Sequence, residues 1–156
     1  MRAYREVRLL SVAEAAYLAG LIDGEGTVTL SRKHAGDMRQ LVVSISNTEL
    51  RILEFVMLTV GAGKLTRTRS SRTHHAPSYA YAVWNRQALA LPAHVEPYVT
   101  SYKRERARLA LRDYVRLTPR NGKYTEPILA ERSLFETALL GMHATATKKE
   151  PLQPSG

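Results

Sequence analysis

The sequence predicts an α+β domain, a four-stranded antiparallel sheet with helices on one face. Segments of helical periodicity and segments of two-residue alternation follow one another in the order α-ββ-α-ββ-α-α. Turn signals join the strands in pairs, and hairpins alternating with helices build such a two-layer arrangement. The chain has 156 residues, 44% of them apolar, enough for one core and the size of one domain. That domain is expected over residues 1–144, with a polar, disordered tail over 145–156.

Ser11-Val-Ala-Glu14 is a capping box, which starts a helix near Val12. Ala15, Ala16, Leu18, Ala19, Leu21 and Ile22 continue it, and Gly24 and Gly26 end it. Residues 27–31 alternate as a half-buried strand, and His34 to Asp37 is a turn. Residues 39–46 form the return strand. Leu41, Val43 and Ile45 lie on one face, and Met38, Gln40, Val42 and Ser44 on the other. Asn47 or Thr48 caps a second helix with the stripe Leu50, Leu53, Val56, Met57 and Val60, which Gly61 ends.

Strands over 65–73 and 79–84 flank a turn at Ala76-Pro77, and Trp84, Tyr79 and Tyr81 read as core aromatics rather than base-stacking groups. Asn85 caps a short helix that stops before Pro97. A long helix over residues 101–117 turns Ala107, Ala110, Leu111, Tyr114 and Val115 inward. Arg104, Arg108, Arg112 and Arg116 follow another face, partly solvated and partly paired with Glu105 and Asp113. After Pro119-Arg-Asn-Gly122, a last helix over residues 127–142 buries Leu134, Phe135, Ala138 and Leu139.

The chain carries a formal charge of +9 and no cysteine. It therefore has no disulfide framework and no thiolate metal site. The charge favours a polyanionic partner, most commonly nucleic acid. An anionic membrane surface and an ordinary basic enzyme are the competing readings, though the first wants an amphipathic basic helix with exposed aromatics. No apolar run approaches the ~18 residues that span a bilayer. The charged N-terminus MRAYREVRLL lacks a secretory apolar region. An intracellular protein without a membrane partner is expected, in the cytoplasm or nucleoid, or in an organelle if encoded there.

With helices on one side, the other sheet face stays open. Thr29, Ser31 and Lys33, then Gln40 and Ser44, then Thr66, Thr68 and Ser70 fall on it. A face so rich in hydrogen-bonding groups suits a DNA major groove, as in β-ribbon readers. Arg67, Arg69 and Arg72 lie on or beside the third strand. They read as phosphate or guanine contacts, or as a solvated strand edge. His74-His75 lacks a third ligand at ordered spacing and reads as loop rather than metal site.

Ala16, Gly20 and Gly24 are spaced four apart on one helix face. Gly20 weakens the helix by about 1 kcal/mol relative to Ala, but small residues at this spacing let two helix backbones approach closely. The natural mate is the same helix of a second copy across a twofold axis. Two copies of Glu25 would then meet at helix C-termini, beside the negative dipole end, and repel unless neutralised. A divalent cation such as Mg²⁺ does this with one or two carboxylates and several waters. Paired metals activate water and stabilise the leaving oxygen of a phosphodiester. The plainer reading of Asp23 and Glu25 is two solvated acids after a helix.

Leu18-Ala-Gly-Leu-Ile-Asp-Gly-Glu-Gly26 resembles the signature of the LAGLIDADG homing endonucleases over all nine positions, and the element order is similar to that family's αββαββα core. One copy of the motif is present, as in the branch that acts as homodimers on near-palindromic DNA. The resemblance implies a Mg²⁺-dependent double-strand DNA endonuclease leaving 3′ overhangs and promoting mobility of its host intron or element, with Mn²⁺ or Ca²⁺ able to replace Mg²⁺ in binding. It assigns Glu25 the metal-binding acid, with the Gly24 carbonyl beside it, and Asp23 a structural role. Asn47 stands where relatives carry a water-positioning amide, and is shorter than their Gln. Lys103, after a one-residue gap, matches the lysine near the scissile phosphate. Arg51 either supports the water network or is solvated. The resemblance also admits an RNA maturase, with intron RNA as a partner, or a non-cleaving DNA-binding protein. A basic structural protein of ribosome or nucleoid is the third reading.

Overall fold

The computed structural model describes residues 5–68 and 76–144. The expectations for Arg69, Ser70, Arg72, the His74-His75 pair and the tail over 145–156 lie outside the described residues. The elements are α1 (Val12–Glu25), β1 (Gly26–Ser31), β2 (Gln40–Asn47), α2 (Leu50–Val60), β3 (Lys64–Thr68), β4 (Ser78–Trp84), α3 (Asn85–Val95), a 3₁₀ turn (Glu96–Tyr98), α4 (Lys103–Asp113) and α5 (Glu126–Gly141). The strands form one antiparallel sheet in the order β1-β2-β4-β3. No helix among the described residues is long and apolar enough to cross a membrane.

Each end of α1 has a local cause. The Ser11 hydroxyl accepts from the Glu14 amide at 3.1 Å, and the Glu14 carboxylate accepts from the Ser11 amide at 3.0 Å, the reciprocal capping box. At the other end the chain passes from α1 into β1 without a loop. A Cβ on Gly26 would sit 2.6 Å from the Ile22 Cα and 3.1 Å from the Ser44 carbonyl oxygen, both backbone atoms that cannot step aside. Only glycine fits. Gly26→Ala is expected to cost about 1–3 kcal/mol, read as a lower urea midpoint at unchanged slope.

Alternation places Val28, Leu30, Leu41, Val43, Ile45, Tyr81 and Val83 under the helices, in one core with Leu18, Ile22, Leu53, Val56 and Leu91. Val42 takes the opposite face, as does Trp84, which is 38% exposed. Tyr81 is a core residue, but Trp84 is not: it stands on the open face. Gly61 ends α2 in the left-handed region at φ 76°.

Several expectations need correction. Glu49, not Asn47 or Thr48, caps α2: the helix begins only at Leu50, so the Asn47 oxygen reaches the Glu49 amide rather than the first turn. Asn85 does not cap α3. It is the helix's first residue at φ 59°, and its side-chain oxygen accepts from the Tyr114 hydroxyl at 3.1 Å. In α4 and the turn after it, Leu109 and Leu117 are buried while Val115 is exposed. In α5, Leu134 is 72% exposed and Ala138 is also outside.

Both helices are rotated so that arginines go in. Arg132, 1% exposed, donates to the Leu117 carbonyl at 2.8 Å, the Thr118 hydroxyl at 2.6 Å and the Arg39 carbonyl. Its guanidinium lies over the rings of Tyr114 and Phe135. Arg106 donates to Val28 O at 3.0 Å and Met142 O at 2.7 Å. Buried guanidinium is tolerable when it is surrounded by acceptors in this way. The other arginines of α4 and of the turn after it pair with acids as expected, Arg108 with Glu105, and Arg112 and Arg116 with Asp113. Arg104 and Arg108 also meet Glu96.

Candidate active site

The last turn of α1 gathers the predicted site residues. Glu25, exposed, is its final residue, and the Asn47 side-chain nitrogen donates to one Glu25 carboxylate oxygen. The Asn47 oxygen accepts from the Glu49 amide at 2.7 Å, which fixes the amide from its other end. β2 ends at Asn47 beside the start of β1, with Gly26 opposite Ile45, so the hairpin register carries the amide to the acid. Arg51 is exposed on the first turn of α2.

Asp23 faces the other way. It accepts from the Thr100 amide at 2.9 Å, the Thr100 hydroxyl at 3.0 Å and the Ser101 amide at 2.9 Å, tying α1 to the lead-in of α4. Partial burial pushes its carboxyl up, but donors from Ser101 and Thr100 outweigh this and hold it at about 2. The carboxylate is the bonded form. Its contribution to stability is therefore complete above the unfolded value of 3.8 and fades as pH falls toward about 2. Wild type should exceed Asp23→Asn by about 1–2 kcal/mol at neutral pH. Urea unfolding across pH 2–6 should show that gap closing below about pH 4.

Lys103 opens α4 and reaches back to α1. Its Nζ donates to the Ile22 carbonyl at 2.8 Å and the Asp23 carbonyl at 3.0 Å, a cation on the negative end of the helix. Burial lowers its pKa, Asp23 opposes this, and Arg106 adds to it. Glu25, Asn47 and Lys103 are thus all brought to one end of α1.

Ala16, Gly20 and Gly24 are exposed along the outer side of the same helix. A Cβ built on Gly20 or Gly24 meets nothing within 4 Å, so nothing within the described chain requires glycine there. Val12 and Tyr17 are exposed on α1 as well. A helix apolar on both sides, with one side packed and the other open, is incomplete by itself.

The open sheet face is ordered in rows by the strand register. Ser31 lies opposite Gln40, and Thr29, Val42 and Trp84 form the next row. Thr27, Ser44, Ala82 and Lys64 follow, then Ser46, Ala80 and Thr66, then Ser78 and Thr68. The Thr27 and Ser44 hydroxyls bond at 2.7 Å. Of the predicted DNA-facing residues, Thr29, Ser31, Gln40, Ser44, Thr66 and Thr68 share this face, and Lys33 is exposed in the loop at its far end. Arg67 does not share it. It pairs with Tyr79 and so takes the helix side of the edge strand, exposed because β3 is an edge. Thr27, Ser46, Lys64 and Trp84 belong to the face and were missed; strict two-residue alternation from Thr29, Ser44 and Thr66 finds the first three.

Among the described residues no three His, Asp or Glu side chains gather into a metal cage. One chain offers a hard-oxygen set of the Glu25 carboxylate and the adjacent Gly24 carbonyl. This suits a cation that keeps most of its waters.

Residues 13–90, half of the chain, match the family of LAGLIDADG-like domains. No curated protein sequence matches significantly. Among solved structures the fold is similar to the homing endonuclease I-CvuI bound to its target in calcium, with TM-score 0.67, 18% identity, and 89% of this chain and 86% of that one covered. It is similar to the archaeal intron-encoded homing endonuclease I-Vdi141I complexed with DNA, with TM-score 0.56, 16% identity, and 88% and 89% covered. It also resembles the LAGLIDADG meganuclease I-AabMI bound to uncleaved DNA, with TM-score 0.62, 20% identity, and 83% of this chain but 46% of that one covered. With its motif helix, hairpin register and half-chain match in agreement, the chain belongs to the LAGLIDADG family.

Proposed function

We propose that this protein is a site-specific double-strand DNA endonuclease, acting inside the cell as a homodimer with Mg²⁺ on a near-palindromic target. The observation that carries this reading is the exposed Glu25 carboxylate, held by the Asn47 amide, at the foot of an open, hydroxyl-rich sheet face. The unpacked side of α1 supports pairing through Ala16, Gly20 and Gly24. The partial cover of I-AabMI leaves room in that chain for a second such unit, the arrangement that pairing two copies would reproduce.

Glu25 and the Gly24 carbonyl would hold Mg²⁺, which would supply an activated water and charge stabilisation for the leaving oxygen. The chain's own groups do the rest. Asn47 orients one Glu25 oxygen and leaves the other for the cation. Lys103 holds the last carbonyls of α1 in place and brings a positive charge to the end where the scissile phosphate would sit. The open face lies in the major groove, and basic side chains neutralise phosphates, so affinity falls steeply with salt.

The test is incubation with a supercoiled plasmid library carrying a randomised insert, in Mg²⁺ and in EDTA. Linear product with 3′ overhangs in Mg²⁺ alone supports the reading. Tight, sequence-specific binding with no cut in any divalent metal contradicts it and favours a DNA-binding protein or RNA maturase of the same fold.

A further inference from the structure

The open face is not uniformly polar. At its far end Val42 and Trp84 are direct cross-strand partners, with Thr29 on the other side of Val42. Val42 is only 8% exposed although no helix covers this face. Its larger in-register neighbour is Trp84, which is 38% exposed. It stands between two clefts, of about 420 and 880 Å³, and lines both. Lys33, Arg32 and the acid Asp37 border the first cleft, and Arg86 and Arg120 the second, so cations lie on either side of the apolar spot and outnumber the acid.

An apolar surface framed by cations has one natural ligand on a DNA major groove. Every base edge there presents donors and acceptors, and the one apolar group is the C5-methyl of thymine. An exposed tryptophan at this point satisfies no hydrogen bond of cytosine or purine, but it gains by covering a methyl group. Val42 lies five strand residues from Asn47, about 17 Å along β2. The contact thus falls in the outer part of a half-site, away from the cut.

Resting on the nuclease reading above, we propose that Trp84, backed by Val42, selects a thymine in the outer part of each half-site by covering its C5-methyl group. Deoxyuridine tests this, because it differs from thymidine by that methyl alone. Duplexes bound by the wild-type protein would first be selected from a random pool in Ca²⁺. Each thymine of the selected site would then be replaced singly by deoxyuridine.

The expected result is one outer thymine per half-site whose replacement weakens binding about 3–10-fold. Trp84→Ala should bind the thymine and deoxyuridine duplexes equally, while Trp84→Phe should keep part of the preference. The inference is overturned if no outer replacement in the wild-type duplexes changes affinity more than about twofold, or if Trp84→Ala remains as sensitive as wild type. Those outcomes leave the nuclease reading intact. Failure to enrich any sequence overturns both.

Discussion

Glu25→Gln should abolish DNA cutting, by on the order of 10³-fold or more, while leaving DNA binding within about twofold of wild type. The substitution keeps the shape of the side chain and an oxygen that the Asn47 amide can still donate to. What it removes is the negative charge, and a neutral amide is a poor ligand for Mg²⁺. The groups assigned to DNA recognition lie on the sheet, not at the end of α1, so affinity and its salt dependence should survive. Gel shifts and cleavage on the same duplex separate the two effects. Equal loss of binding and cutting would mean that Glu25 serves the fold or the DNA contact rather than the chemistry.

Gly20→Lys should convert the proposed dimer to a monomer and remove double-strand cutting with it. A Cβ at Gly20 has no neighbour within 4 Å in its own chain, so the substitution does not disturb the monomer's packing. It should even firm the helix, since Lys is a better helix former than Gly by a good fraction of 1 kcal/mol. Across a twofold axis the same side chain would hold two backbones apart and set like charges against each other. Light scattering should give about twice the 17.5 kDa chain mass for wild type and the single mass for the variant, with an equal or higher Tm. A variant that stays dimeric and cuts would show that α1 is not the pairing face.

Much of this was legible in the sequence where a local rule decides the outcome. The capping box set the start of α1, Gly61 set the end of α2, and alternation set the buried face of β1 and β2. The motif acids were legible because their position depends only on the helix that ends in them. Elsewhere tertiary context prevailed. Nothing in the sequence pattern singles out Arg106 and Arg132, yet carbonyl acceptors, and for Arg132 two aromatic rings, hold them inside while Val115, Leu134 and Ala138 face out. Asn47 read as a helix cap because that is the local preference of an Asn before a helix. The helix begins only at Leu50, so the Asn47 oxygen accepts from the Glu49 amide, while its nitrogen donates to the Glu25 carboxylate, distant in sequence. Trp84 read as core together with Tyr79 and Tyr81. Its place in the β2–β4 register puts it on the uncovered side. Arg67 followed its neighbours in composition but not in parity.

On the proposed reading, two copies of this chain cut DNA about one twofold axis. The deciding measurement is the sequence of the ends produced from the randomised library in Mg²⁺. One pair of cuts related by that axis is expected, with 3′ overhangs, flanked by two similar half-sites in inverted orientation. Ends scattered over unrelated sequences, or a fixed cut beside a single unrepeated site, would contradict it.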